Sequence, residues 1–393
     1  MNFSVLELSG VVVAFLVALL VVVVVHPQVA KFAIKRKIVD NPDFRKLQRN
    51  PVPVMGGVAV FFGLVAGLGV ASFFLDITSI LPMFLAMSIM LCVGVADDVS
   101  NLSPWLRFAI EIAMTLMMIY ITDMSLNNLQ GLWGYFDMPL WISIPLTVVS
   151  VVGMINAINL VDGVDGLSSG FCIMASIIFG TLFFVVGEVS MCLLCLITIG
   201  ALLPFFFHNV FGVKSKMFIG DGGSLMMGVV MSSYVVVAIN SPGVCGELAI
   251  NCGTGLVPFT LAVMSVPVFD TVRVMVMRIL RRTSPFHPDK THLHHLFIEL
   301  GFSHVGTTMS VLSLNLIVVL AWYISFLLGG SIDVQFYVVI GCGIAVTALF
   351  YKFMRIQIAR QTAISRVARK LGSKTHVAEK SGWQMLQRWA DRK

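Results

Sequence analysis

About eleven apolar stretches of near bilayer-spanning length dominate this chain, and they leave few folds open to it. They run roughly over residues 8–26, 55–75, 78–96, 105–122, 139–157, 168–187, 189–207, 222–240, 255–276, 308–328 and 334–353. A helix of about 20 apolar residues crosses a bilayer, and in lipid the backbone must satisfy its own polar groups. The expected fold is therefore all-α, a polytopic integral membrane protein with about 11 transmembrane helices. Composition agrees, with 12% charged residues and 58% hydrophobic ones, against about 25% charged in a soluble domain. The first stretch lacks a positive n-region and a small-residue cleavage site, so it reads as a span and not a signal peptide.

Charge asymmetry orients the spans. The basic run Lys31–Arg49, then Lys214 and Lys216, then Arg278, Arg281, Arg282 and Lys290, and the C-terminal tail all fall on one side. The alternate loops 123–138, 241–254 and 329–333 carry no Lys or Arg. The positive-inside rule then puts the N-terminus outside and the C-terminus in the cytoplasm. From Lys352 onward there are eleven Lys/Arg and two acids, so the formal charge of +6 belongs to the tail.

The chain thus divides into a membrane-embedded catalytic unit, 1–353, and a basic tail, 354–393. Ile356, Ile364, Val367, Ala368 and Leu371 gather near one face of the tail, with Arg355, Arg366, Arg369 and Lys370 elsewhere. Trp383, Met385, Leu386 and Trp389 read as a second interfacial piece. Such segments favour anionic membrane lipids over nucleic acid as a partner, and the tail is expected to lie on the inner membrane surface, dispensable for catalysis. Most cysteines sit in apolar runs as small buried thiols. Cys245 and Cys252 share an outer loop, where a disulfide is hypothesised.

Five polar pieces break the apolar pattern, all on the basic side: A-D-D-V-S-N-L-S-P (96–104), N-A-I-N-L-V-D-G-V-D-G-L (156–167), F-I-G-D-G-G-S (218–224), F-D-T-V-R (269–273) and H-P-D-K-T-H-L-H-H (287–295). Acids at membrane depth are costly and usually functional, although Asp97 and Asp98 alone could be ordinary acids at a solvated helix end. Asn156, Asn159, Asp162 and Asp165 recur every three residues, a stripe of oxygen ligands on a helix face. Such ligands suit Mg²⁺, with Mn²⁺ the alternative; an Asx-rich helix cap is the plainer account. Asp221 between glycines opens a span, a geometry that frees N–H groups for phosphate oxygens or is a simple N-cap. His292, His294 and His295 suit phosphate oxygens better than a transition metal. Together the pieces describe metal-assisted phosphoryl transfer with a lipid reactant.

The ordered set D-D (97–98), N-A-x-N-x-x-D-G-x-D-G-L (156–167), G-D-x-G-S (220–224) and H-x-H-H (292–295), preceded by P-V-M-G-G (53–57), resembles the polyprenyl-phosphate N-acetylhexosamine-1-phosphate transferase family over residues 40–300. The histidine piece resembles the bacterial branch that uses UDP-N-acetylglucosamine and undecaprenyl phosphate. The resemblance implies that Asp221 and Asn159 bind Mg²⁺, and that Asp97 contacts or activates the lipid phosphate. It implies that Asp98 and Asp162 shape the same catalytic pocket and that Asp165 and Asn209 bind the nucleotide. His292, His294 and His295 would hold the diphosphate, with Arg49 a cation near the phosphates. It further implies a UDP-sugar and a polyprenyl phosphate as substrates, release of UMP, and the cytoplasmic face of the bacterial inner membrane as the location. A homodimer is left open. Two other classes were weighed. An ion-coupled transporter would use Glu111 and Asp270 at the midplane, and a lipid-phosphate phosphatase would need only water as acceptor.

Overall fold

The computed structural model describes residues 4–40, 51–241, 244, 248, 252–284, 290–376 and 381–391. Helices occupy all eleven apolar stretches. α1 (Val5–Arg36) starts at a capping box between Ser4 and Glu7 and ends where Lys37 turns left-handed. α2 (Gly56–Ala71), α3 (Leu81–Ser100), α4 (Pro104–Thr122), α5 (Leu140–Val161), α6 (Leu167–Val186), α7 (Val189–Phe211) and α8 (Gly220–Asn240) follow. Among the described residues nine helices are long and apolar enough to cross a membrane. α2, at 16 residues, is shorter than these, and the stretch expected at 255–276 is a bent pair. The chain is a multi-pass helical membrane protein. Its departures from all-α among the described residues are a two-residue antiparallel pairing of Val39–Asp40 with Val52–Pro53 and an isolated bridge between Asn128 and Asp137.

α8 is the axis. Fully 94% of its apolar window is buried, against α3 and α5 on one side and α2 on another. Its N-terminus is closely packed. A Cβ on Gly94 of α3 would lie 2.4 Å from the Asp221 carbonyl carbon and oxygen, and one on Gly57 would lie 2.2 Å from Gly223 Cα. These contacts are with backbone, which cannot rotate away. The P-V-M-G-G segment is locked to the same spot. Phe218 N–H donates to Pro53 O at 2.8 Å, Gly56 N–H to Phe218 O at 2.9 Å, and Gly57 N–H to Ile219 O at 2.8 Å. Gly94→Ala is expected to abolish a stable fold, whereas Gly69→Ala on α2, which meets nothing within 4 Å, should be harmless. Thermal melts in detergent compare the two; equal stability would refute the close-packing account.

The bend separates α9 (Leu256–Val263) from α10 (Ser265–Leu280) by 76°. A break frees backbone groups that lipid cannot satisfy. Asn315 of α12 (His304–Leu327), fully buried, meets that need. Its Oδ1 accepts from Val266 N–H at 2.9 Å and its Nδ2 donates to Val263 O at 2.9 Å. Pro267, early in α10, needs no partner for an N–H it lacks.

The short helix α11 (Leu293–Glu299) precedes α12. The last span, α13 (Ile332–Ala359), carries a π-helical turn at Ala345–Leu349 and continues past the expected boundary at 353. The tail then breaks at Gln361, with φ of 48°, so 354–371 is not one amphipathic helix. α14 (Ala363–Lys374) leaves Ile364, Val367 and Leu371 exposed on one face, as the pattern implied. α15 is Ser381–Ala390. Cys245 lies outside the described residues, so the hypothesised disulfide does too.

Candidate active site

α5 runs out at Val161 because glycines follow. Asp162 caps the helix at φ −75°, ψ 38°, and Gly166 turns left-handed at φ +75° before α6 begins. Gly163 and Gly166, which interrupt the three-residue stripe in the sequence, do break the helix. Asn159 is the last member on the helix, Asp162 and Asp165 stand on the turn, and Asn156 faces elsewhere. The turn meets the N-terminus of α8 and the C-terminus of α3 at a cleft of about 350 Å³. Asp98, Asn159, Asp162, Asp165, Asn209, Asp221 and His295 all line it.

The α8 N-terminus organises the acids. Asp98 reaches across from α3 to cap it, Oδ1 accepting from Asp221 N–H at 3.1 Å and Oδ2 from Gly222 N–H at 3.3 Å. A carboxylate is favoured at such an end. Asn159 Nδ2 donates to Asp221 Oδ1 at 2.8 Å and to Ser224 Oγ at 2.9 Å. Asp97 adjoins Asp221 and is held by Arg107, whose Nη1 lies 3.0 Å from its Oδ2; Leu102 N–H donates to Oδ1 at 2.7 Å. Arg107 also faces the buried Glu111 at 3.6 Å, which accepts from Asn156 Nδ2 at 2.5 Å.

Asp162 is the least compensated acid. Burial pushes its carboxyl well above the usual range, and the carboxylates of Asp221, Asp165 and Asp98 push the same way. Asp165 differs. Burial opposes its ionisation, but His304 and Lys216 overcome that and hold the carboxyl below the usual range. His304 Nδ1 stands 2.6 Å and Lys216 Nζ 2.5 Å from Oδ2. Its Oδ1 is buried without a hydrogen-bond partner among the described residues.

Asn209 lies at the cleft wall, yet its amide is spent on backbone: Oδ1 accepts from Gly166 N–H at 2.7 Å and Nδ2 donates to Met217 O at 2.9 Å. The three histidines sit at the start of α11, not in an open loop. His292 Nδ1 lies 3.0 Å from Asp270 Oδ2, and Arg273 binds the other oxygen of Asp270 at 2.6 Å. His294 packs on Gly163, where a Cβ would meet its Nε2 at 2.5 Å. Burial, with His295 and His292 beside it, pushes the His294 imidazole well below its ordinary value, so it is neutral. Of the three, only His295 is among the residues that line the cleft. Arg49 lies outside the described residues.

Lys216 and His304 escaped the sequence reading as site residues. Lys216 stands two positions before F-I-G-D-G-G-S, which was the available signal; His304 had none. Nor did sequence reveal a second, apolar cavity of about 620 Å³ between α4, α5, α8 and the bent pair, lined by Phe108, Val149, Asn156 and Val272 among others. Through Phe108 and Asn156 it adjoins the Asp97–Arg107–Glu111 ion pairs.

Residues 80–239 match the glycosyl transferase family 4 model. Over 308 residues, 78% of this chain and 82% of the relative, the chain is 33% identical to a probable undecaprenyl-phosphate N-acetylglucosaminyl 1-phosphate transferase of Bacillus subtilis (strain 168). The chain belongs to glycosyl transferase family 4. An undecaprenyl-phosphate alpha-N-acetylglucosaminyl 1-phosphate transferase of Escherichia coli (strain K12) is 30% identical over 305 residues, 75% of this chain and 80% of the relative. One from Salmonella typhi is 28% identical over 277 residues, 70% and 72%. The family 4 match runs from the start of α3 nearly to the end of α8. It holds Asp97, Asp98, Asn159, Asp162, Asp165, Asn209 and Asp221; the histidine segment and the tail lie beyond it.

Proposed function

We propose that this protein transfers N-acetylglucosamine 1-phosphate from UDP-N-acetylglucosamine to undecaprenyl phosphate, releasing UMP, at the cytoplasmic face of a bacterial inner membrane. The observation that carries the reading is an acid-lined polar cleft beside an apolar cavity, with the Asp97–Arg107–Glu111 ion pairs running from Asp221 of the cleft to Asn156 of the cavity. The relatives' names supply undecaprenyl phosphate and the N-acetylglucosaminyl 1-phosphate group; the UDP donor is what the family resemblance implies. The Lys/Arg asymmetry supports the orientation, N-terminus outside and C-terminus inside.

The donor set fits a divalent ion, Mg²⁺ first and Mn²⁺ as the alternative. All the donors are oxygens, and Asp162 is buried among three other carboxylates, with no cation beside it among the described residues. Among the described residues, no three His, Cys, Asp or Glu side chains are already drawn in to ligand distance, so ion binding requires the acids to close inward. Asp221, Asn159 and Asp162 would hold the ion. When bound it would neutralise charge on the diphosphate. The buried Oδ1 of Asp165 suits a hydroxyl or N–H donor of the nucleotide.

In the reaction an oxygen of the lipid phosphate forms a bond to the β-phosphorus of UDP-N-acetylglucosamine. The bond from that phosphorus to the oxygen bridging to UMP breaks, and UMP leaves with the electron pair. A phosphate monoester loses its second proton near pH ~6, so it is mostly dianionic at neutral pH. Asp97, fastened by Arg107, is therefore assigned to orient the attacking oxygen more than to remove a proton. Purified enzyme supplied with both substrates and Mg²⁺ should yield UMP and a lipid diphospho-sugar, and chelation should stop it. Release of UDP would mean glycosyl transfer and would sink the reading.

A further inference from the structure

We infer that the C-terminal tail is a clamp that seats Lys216 and His304 on Asp165, and so sets how tightly the cleft holds its nucleotide. Sequence alone put the tail outside the catalytic unit. The fold docks it through two separate latches, each ending one residue from a side chain that contacts Asp165.

The first latch follows α14. Ser303 N–H donates to Thr375 Oγ1 at 2.8 Å, and Ser303 Oγ donates to Thr375 O at 2.9 Å. His376 Nε2 reaches Gly301 O at 3.0 Å. Ser303 is the N-cap of α12, and the next residue is His304. The approach is close enough that a Cβ on Gly306 would lie 2.5 Å from Thr375 Cβ.

The second latch follows α15. Asp391 Oδ1 accepts from three successive N–H groups, those of Val213, Lys214 and Ser215, at 3.1, 2.9 and 3.0 Å, and from Ser215 Oγ at 3.1 Å. A carboxylate gathered by backbone N–H groups is a strong, directional contact. Trp389 packs on Phe207 and Trp383 on Phe211, with ring centroids 4.8 and 4.7 Å apart. Ser215 is braced from inside as well, its Oγ by His208 at 3.0 Å and its carbonyl by His26 at 2.9 Å. The next residue is Lys216. Asp391 and Thr375 are thus positioning residues, acting on the cleft through Lys216 and His304.

The inference rests on Asp165 serving the nucleotide, and the test separates the two ideas. In full-length enzyme, Asp391→Ala should speed amide hydrogen exchange at 213–215. It should also raise KM for UDP-N-acetylglucosamine about tenfold, the scale of losing hydrogen bonds to a charged group, with kcat and KM for the lipid phosphate unchanged. Asp391→Asn, which keeps an acceptor oxygen, should restore most of both. Combined with Lys216→Met, Asp391→Ala should add nothing further to KM. Exchange that accelerates in Asp391→Ala when the wild type forms no UMP would support the clamp and count against the transfer reading. Unchanged exchange at 213–215, or additive effects with Lys216→Met, would overturn the clamp.

Discussion

Asp221→Asn should lower turnover by at least about a hundredfold and raise the Mg²⁺ needed for what remains. A bound divalent ion supplies several kcal/mol of charge stabilisation, and each tenfold in rate is ~1.4 kcal/mol. The amide keeps the shape of the side chain but brings no charge to a position where Asn159 and Ser224 are already arranged around a carboxylate. Asp97→Asn should fail differently. It keeps an oxygen for Leu102 N–H but loses the ion pair with Arg107. Turnover should collapse while Mg²⁺-dependent UDP-sugar binding persists. Rescue of Asp97→Asn at high pH would assign it proton removal, and no rescue assigns it positioning. The measurements are steady-state turnover against Mg²⁺ concentration and calorimetric binding of the UDP-sugar. Near-normal activity of both variants at saturating Mg²⁺ would show the site to be wrongly assigned.

Asp162→Asn should trade activity for stability. In the metal-free fold its carboxyl is held well above the usual range, so the folded protein retains a proton that the unfolded chain releases. Stability must then fall as pH rises from the ordinary aspartate range, about 3.9, through the raised value. Asp165 works in the opposite sense. Its carboxyl is lowered, so its contribution is complete above that same range and does not offset the loss. With EDTA present, the wild-type melting temperature should drop as pH rises above the ordinary aspartate range, about 3.9, and the drop should shrink in Asp162→Asn. Mg²⁺ should restore the wild type at the higher pH and do less for the variant. Turnover of Asp162→Asn should be severely reduced. A melting temperature as pH-dependent in the variant as in the wild type would mean that Asp162 carries no such strain.

Long apolar runs made the helices legible, because hydropathy integrates over many residues and local errors average out. The bend at Met264 was not legible, since the residue that satisfies it, Asn315, is 49 residues from Val266. The acids of the cleft were legible because they travel in short motifs, D-D, N-x-x-D and G-D-G-G. Their division of labour was not. Nothing in adjacent aspartates says that Asp98 caps α8 while Asp97 turns to Arg107. The three-residue spacing showed a stripe interrupted by Gly163 and Gly166, but not that Asn159 would stay on the helix while Asp162 and Asp165 stand on the turn. Lone polar residues fared worst. His304 and Lys216 carry no motif, and only the packing of α12 and the 212–217 segment against the turn brings them to Asp165.

The break between α9 and α10 also bears on how reactants are counted. Val149 and Val272 line the apolar cavity and are themselves 71% and 51% exposed, on helices whose outer surface meets lipid. These exposed apolar wall residues fit access to the cavity from the hydrocarbon. A long isoprenoid can enter by lateral diffusion without ever leaving the hydrocarbon. For such a reactant the governing quantity is its mole fraction in the surrounding bilayer. Diluting proteoliposomes with buffer should leave the rate per enzyme untouched with respect to this reactant, and diluting them with inert phospholipid should slow it.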